Sequence, residues 1–382
     1  MKQFSIFLFL IAIFTLTSCK KATTNPPQPS NQSASPPAAE QLAHSEAGVT
    51  ASVEIKYLKG SIGSALGLQM KLVREGEKLS GSYFYQKSGT RIDLKGTIDK
   101  DNYVTLEEFD ASGKQTGVFK GLWTMEPEVG VSIAGNWSRP DGQKKTAFSL
   151  HEEPIHFSGA AEMISKTIKE SNKKLNYEID AEYPQLTGLL SPGFEKFNQE
   201  ASRLALREVN GFRKNLSEAS SETSESSSGS TLDIGYTVAL ATDDLISIQF
   251  DVGTYYSGAA HPNSNSRVFN FDVKKVRTLK LGDLFKPGAK YLQALSSYSV
   301  KDLKRQSTAK GADGMLDDAS IESGAGATAK NYENWTITKK GLGIIFDAYQ
   351  VGPYAAGPQY VLVPYSALKE MIDPTGPVGM YL

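Results

Sequence analysis

Few side chains in this sequence are placed to do chemistry, and the most suggestive of them surround one histidine. His261 follows Tyr255-Tyr256-Ser257-Gly258-Ala259-Ala260 and precedes Pro262-Asn263. An imidazole in such a corner serves as a general base or a binding contact, because its charge changes near neutral pH. The competing explanation is a loop histidine that hydrogen-bonds backbone and fixes the turn. No Ser or Asp stands at a recognisable spacing to pair with it, so no catalytic residue is assigned. A second corner, Tyr349-Gln350-Val351-Gly352-Pro353-Tyr354-Ala355-Ala356-Gly357, has a similar Gly, Pro and Tyr content. If the corners adjoin, Tyr255, Tyr256, Tyr349 and Tyr354 form an aromatic platform beside His261 and Asn263. Such rings suit protein hot spots and stacking on sugars; core packing is the alternative for part of them.

The other histidines point to less. His44 lies in a Pro/Ser-rich stretch, and His151 and His156 bracket Glu152-Glu153-Pro154-Ile155. That spacing would hold a metal only weakly and reads better as a solvated linker. No metal and no cofactor is expected. No His-Glu-x-x-His, Walker loop or Gly-x-Ser-x-Gly elbow occurs. Gly324-Ala325-Gly326 lacks the strand and third glycine of a dinucleotide site.

The single cysteine, Cys19, carries a different chemistry. Lys2 gives a basic start, and residues 4–14 form an apolar run too short to span a membrane comfortably. Leu16-Thr17-Ser18-Cys19 then resembles the lipobox of bacterial lipoproteins. The resemblance implies cleavage of a signal peptide, residues 1–18, and acylation of the Cys19 thiol, with palmitate among the chains. At about 0.8 kcal/mol per buried methylene, one acyl chain holds marginally and two or three hold stably. Residues 19–49, rich in Pro and Ser, cannot bury enough apolar area to order themselves and read as a tether with a span of roughly 30 Å. No Asp follows Cys19, so the expected location is the cell envelope, at the outer membrane or cell surface if the organism is Gram-negative.

Composition narrows the partners. Past the first twenty residues no apolar run reaches the roughly 18 residues a membrane helix needs, so contact with the membrane is expected through the lipid alone. The 41 basic and 42 acidic side chains leave no excess charge for a phosphate backbone, and nucleic acid is not expected as a partner. With no second cysteine, a thiol nucleophile, a Cys-based zinc site and disulfides are excluded from the folded part.

The elements that must position these residues fall into two domains within the 382 residues. Over 50–150, short alternating segments such as Val53–Leu58, Gly81–Tyr85, Arg91–Leu94, Val104–Glu107, Gly117–Gly121 and Ile133–Trp137 are separated by turn signals at Lys87-Ser88-Gly89, Asp99–Asn102, Ala111–Lys114 and Pro140–Gly142. Even spacing predicts an antiparallel meander, closed as a small barrel or sandwich. Gly135-Asn136-Trp137 and Thr116-Gly117-Val118-Phe119-Lys120-Gly121 look like phrases of lipocalin- and avidin-type barrels. Gly96, Gly117, Gly121 and Gly135 are expected where strands bend. Residues 160–382 mix helices and strands. Asn176–Pro184 reads as a strand ended by its proline. Phe194–Phe212 is a helix with Phe194, Phe197, Ala201, Leu204, Ala205 and Val209 on one stripe. Mobile insertions are expected near 217–230 and 308–329, a helix over Lys290–Arg305, and strands near 235–241, 245–255, 267–273, 334–338, 343–349 and 359–364, then a short helix near 366–372. Helices packed on an antiparallel sheet would make this domain α+β.

Here a family resemblance enters. Tyr183-Pro184-Gln185-Leu186, Tyr255 to Asn263, Phe269-Asn270-Phe271-Asp272, Leu279 to Phe285, Gly341 to Gly357 and Val363-Pro364-Tyr365 occur in the order found in the DUF4163/DUF3298-type domain pair. That pair is similar to the extracellular part of an anti-sigma factor that senses lysozyme, and related copies lie beside polysaccharide deacetylase domains. The resemblance implies an envelope domain that binds a protein, lysozyme being the sharpest candidate, or a glycan. Two other functions stay open. One is an envelope polysaccharide hydrolase or deacetylase-type enzyme using His261 with Asp251 or Asp272. The other is a scaffold docked through the barrel.

Overall fold

The computed structural model describes residues 53–85, 90–127, 130–159, 161–188, 191–219, 229–309 and 315–382. The signal segment, Cys19, the tether with His44, the turn at 87–89 and the larger part of the Ser/Glu-rich insertion lie outside the described residues.

Eight antiparallel strands close a barrel: β1 (Val53–Ile62), β2 (Leu66–Glu75), β3 (Lys78–Tyr85), β4 (Arg91–Ile98), β5 (Tyr103–Phe109), β6 (Gln115–Glu126), β7 (Gly130–Ser138) and β8 (Thr146–Glu152). Closure runs from β8 back to β1, with Leu58 opposite Glu152 and Ile62 opposite Phe148. Alternation sends Leu58, Leu68, Met70, Leu72, Leu94, Leu106 and Ile133 inward, so side chains fill the interior. Tyr83, Phe119 and Phe148 form an edge-to-face chain at 5.5 and 5.1 Å, a geometry that adds to their area burial. Glu108 is buried among them, accepting from Tyr83 Oη at 2.5 Å and Trp137 Nε1 at 3.0 Å. Gly121 and Gly135 face each other across β6 and β7. A Cβ on Gly135 would lie 2.1 Å from the Lys120 carbonyl oxygen, so close approach of two backbones, more than bending, requires glycine there. β2 and β8 were not among the expected strands: in β2 the polar Gln69 is itself buried and blurs the period, while β8 alternates buried Phe148 and Leu150 with exposed Ala147, Ser149 and His151.

The connection from barrel to sheet is itself paired. β9 (Ile155–His156) lies parallel to β12 (Ser230–Thr242), with Ile155 opposite Ala241. β10 (Glu162–Asn172), β11 (Tyr177–Thr187), β12, β13 (Leu245–Tyr255), β14 (Asn263–Asp272) and β15 (Arg277–Thr278) follow one another across a second sheet. Its pairings are antiparallel except at β11–β12 and β9–β12. The strand expected to stop at Pro184 continues to Thr187. The reason is a fork: β11 pairs with β12 only as far as Ala181, so a residue without an N–H is tolerated beyond that point. Asn198 serves the parted strand instead, its Oδ1 accepting from the Leu186 N–H at 2.7 Å and its Nδ2 donating to the Leu186 carbonyl at 2.8 Å.

Barrel side chains enter the same fork. Lys59 donates to the Tyr236 carbonyl at 3.2 Å, and Gln69 to the Tyr236 hydroxyl at 3.2 Å and Glu153 at 3.3 Å. Tyr57 of β1 belongs to the core of the second sheet, with Phe157, Met163 and Ile179. On that sheet's core face lies α1 (Pro192–Ala219), the expected helix extended at both ends. Phe197 stacks on Phe269 at 5.3 Å. Phe194, Phe197, Ala201, Ala205 and Val209 are buried, while Leu204 is half-buried.

The last layer is α2 (Tyr291–Ala309), α3 (Asp318–Gly324), β16 (Trp335–Ile337), β17 (Gly341–Phe346), β18 (Gln359–Pro364) and α4 (Tyr365–Leu368). α3 corrects the expected loop at 308–329: Asp317 caps it, accepting from Ser320 N–H, and buried Ile321 holds it down. α4 is shorter than expected. β16 is sewn to the larger sheet by buried side chains, with Ile337 N–H donating to Ser247 Oγ at 2.8 Å, Ser247 to Asn270 Oδ1 at 2.6 Å, and Asn270 Nδ2 to the Trp335 carbonyl at 2.8 Å.

Candidate functional site

β13 and β14 form a hairpin whose tip carries His261, and β17 leads into a turn that meets it. In that turn the Gln350 N–H donates to the Asp347 carbonyl at 3.0 Å, and Tyr349 adopts φ +71°. A bulky residue in the left-handed region costs on the order of 1 kcal/mol, so something other than local preference keeps a tyrosine there. Asp347 ties the turn to the hairpin: its two carboxylate oxygens accept from Ser266 N–H at 3.0 and 3.2 Å, and Oδ2 accepts from Asn334 Nδ2 at 3.1 Å.

The two corners adjoin. The His261 ring stacks on Tyr354 with centroids 4.2 Å apart, and Tyr354 lies 5.4 Å from Tyr349. His261 Nδ1 lies 2.8 Å from the Pro262 carbonyl, which also accepts from Tyr354 Oη at 2.8 Å. A carbonyl only accepts, so Nδ1 carries the proton in this contact. Tyr349 Oη makes a long contact of 3.5 Å with His261 Nε2. His261 is exposed, and Tyr349 is 63% exposed.

The remaining expected residues sit differently. Tyr256 turns to α1, with its ring 5.4 Å from Phe212 and its hydroxyl accepting from Asn215 Nδ2 at 2.9 Å. Tyr255 is half-buried at the end of β13, opposite Thr231. Asn263 is exposed at the start of β14, beside the ring stack in sequence. The acids considered as partners of His261 do not touch it. Asp251 lies opposite Ser266 and accepts from Gln249 Nε2 at 2.7 Å. Asp272 is buried at the far end of β14, about 30 Å along the strand from Asn263. His151 sits on β8 between Ser132 Oγ at 2.9 Å and Ser149 Oγ at 3.2 Å. His156 is in β9.

A polar cleft of about 550 Å³ is lined by Arg267, Lys330, Glu333 and the amides of Asn331 and Asn334, together with Asp347 and Gln350 of the turn that bears Tyr349. This volume lies within the range of small-ligand sites. Apart from Gln350, which lies in the second corner, reading the sequence did not single out these residues, because they come from three separated segments with no shared spacing.

Residues 169–264 match the family described as Deacetylase PdaC, and residues 282–366 the family described as Protein of unknown function (DUF3298). The chain is 27% identical over 206 residues to the peptidoglycan-N-acetylmuramic acid deacetylase PdaC of Bacillus subtilis, a match covering 54% of this chain and 41% of that protein. It is 27% identical over 116 residues to the immunogenic protein MPT64 of Mycobacterium tuberculosis, covering 30% of this chain and 47% of the other. The chain thus spans less than half the length of these curated relatives. Among solved structures, a DUF3298 family member from Bacteroides fragilis aligns with a TM-score of 0.43 at 20% identity, over 59% of this chain and 98% of the other. His261 falls within the first matched segment, and Tyr349 and Tyr354 within the second. The C-terminal part of the chain therefore contains a PdaC-like domain followed by a DUF3298 domain, and the ring stack draws on both.

Proposed function

We propose that this protein is a lipid-anchored component of the cell envelope, held through Cys19, whose C-terminal domains bind envelope glycan without chemical turnover. The observation that carries this reading is the exposed stack of His261 on Tyr354, flanked by a strained Tyr349 and opening beside a polar cleft. Flat rings cover the apolar faces of sugars while nearby polar groups fix their hydroxyls. The Bacillus relative, named for deacetylation of N-acetylmuramic acid in peptidoglycan, supports that ligand class. Against turnover stands the surrounding of His261, whose ring nitrogens meet a carbonyl and a tyrosine hydroxyl rather than a carboxylate.

The test is co-sedimentation of the full chain, in detergent, with purified peptidoglycan. Wild type pellets with the glycan and Tyr354→Ala does not. Retention by immobilised lysozyme with no glycan binding turns the reading to a protein ligand. Acetate or sugar released from the glycan by wild type, and not by His261→Ala, turns it to an enzyme. The anchor is tested by palmitate labelling: incorporation that persists in Cys19→Ser removes it.

A further inference from the structure

The barrel is sealed at one end and not at the other. At the end where β8 leaves for the second sheet, Leu79, Ile98, Val104, Trp123 and Val131 are all buried. The opposite end is formed by the last residues of β3, β5 and β7 and the first of β4, β6 and β8. There Tyr85, Ile92 and Trp137 pack on the interior but stay partly exposed, and among the described residues they are the only such members of that cluster. Just inside this mouth lies Glu108, 3% exposed and the one charged residue among the barrel's buried side chains.

Both donors to Glu108, Tyr83 Oη and Trp137 Nε1, go to the same oxygen, Oε2. Tyr83 keeps its proton for this purpose, because burial and then the charge of Glu108 push its phenol up. Oε1 meets no donor, and no cation pairs with the carboxylate, among the described residues. Ser299 Oγ is the one side-chain polar atom among them that is sealed from solvent without a hydrogen bond. Oε1 is therefore not sealed, and the mouth beside it is its opening. As a packing device the arrangement is poor, since a buried carboxylate without a cation is costly and an apolar residue would fill the layer. Gly117 is given up to the same group. It is not at a positive φ, yet a Cβ there would lie 2.5 Å from Oε1 and from Trp137 Nε1.

A half-satisfied anion at the open end of an aromatic pocket calls for a positive ligand. We infer that the barrel mouth binds a small organic cation, an ammonium group on an apolar stem. Its N–H donates to Glu108 Oε1 in a charge-assisted bond. The rings of Tyr85 and Trp137 flank the charge, and the stem packs on Ile92. The inference stands apart from the glycan reading, which concerns the C-terminal domains.

Trp137 reports on the mouth directly. The chain has three tryptophans, so labelling with 5-fluorotryptophan yields one fluorine resonance for each, and Trp137→Phe identifies the one at the mouth. The full chain, in detergent, is titrated with n-butylammonium chloride, with n-butanol, and with sodium chloride at matched ionic strength. The Trp137 resonance moves saturably with the amine, and n-butanol binds at least about tenfold more weakly. Glu108→Gln keeps an acceptor for Tyr83 and Trp137 and removes the charge. It abolishes the response to the amine, while its melting temperature equals or exceeds that of wild type because the uncompensated charge is gone. A response that survives in Glu108→Gln, equal binding of n-butanol, a shift matched by sodium chloride, or no shift at all overturns the inference. So does a melting temperature of Glu108→Gln well below that of wild type, which makes the carboxylate a packing group.

Discussion

Tyr83, Phe119 and Phe148 inside the barrel, and His261, Tyr349 and Tyr354 at the C-terminal corner, are both runs of rings in contact, but only the first is buried throughout. Phe119 is fully buried, and its edge-to-face neighbours are what packing in a closed barrel selects. Tyr349 is 63% exposed, gains little by burial, and is held at a positive φ. If the proposed reading holds, stability and ligand binding rest on different rings of the same molecule. Substitutions should separate the two.

The largest effect belongs to the barrel. Phe119→Ala removes a fully buried ring and is expected to lower unfolding free energy by about 3–5 kcal/mol, with glycan binding per folded molecule unchanged; denaturant titration beside calorimetry reads both. A loss of affinity in the folded fraction would tie the barrel to binding. Next comes Asn270→Ala, which strands the Trp335 carbonyl and disturbs the Ser247 contact to β16. It should cost about 2–3 kcal/mol and loosen the small sheet, seen as faster amide exchange at Ile337. Tyr349→Gly moves the other way: stability holds or rises by up to about 1 kcal/mol as the strain is relieved, while glycan affinity falls. A drop in stability would make Tyr349 a folding residue and blur the contrast.

The smallest effect concerns Glu153. Burial against the barrel pushes its carboxyl up, against the pull of Lys59 and the Gln69 amide. The folded state then holds a proton that the unfolded chain has released, so its contribution to stability is full below the ordinary carboxylate range and is lost as pH rises toward the raised value. Glu153→Gln keeps the acceptor for Gln69 and drops the charge. Its melting temperature should exceed that of wild type near pH 7 and converge with it near about pH 4. Parallel curves at all pH values would contradict this.

Much of the architecture was legible because periodicity records burial. β13 was read at its observed bounds, and the stripe on α1 gave the face that packs on Phe269. Elsewhere the reading failed: β2 and β8 were passed over, and α3 was hidden in a Gly/Ala-rich run although Asp317 caps it. Pro184 misled because its tolerance depends on a fork in the sheet that only tertiary structure creates. At the site, the Tyr and Gly/Pro punctuation located His261, Tyr349 and Tyr354. The cleft was invisible because Arg267, Asn334 and Gln350 converge through the Asp347 bridge to Ser266, a contact across 81 residues of chain.

That fork has a mechanical consequence. With Lys59 and Gln69 inserted between diverging strands, and the link at Ile155–His156 hydrogen-bonded into the sheet, the barrel is a wedge rather than a swivelling bead. A partner that turned the barrel would therefore turn the C-terminal sheet with it.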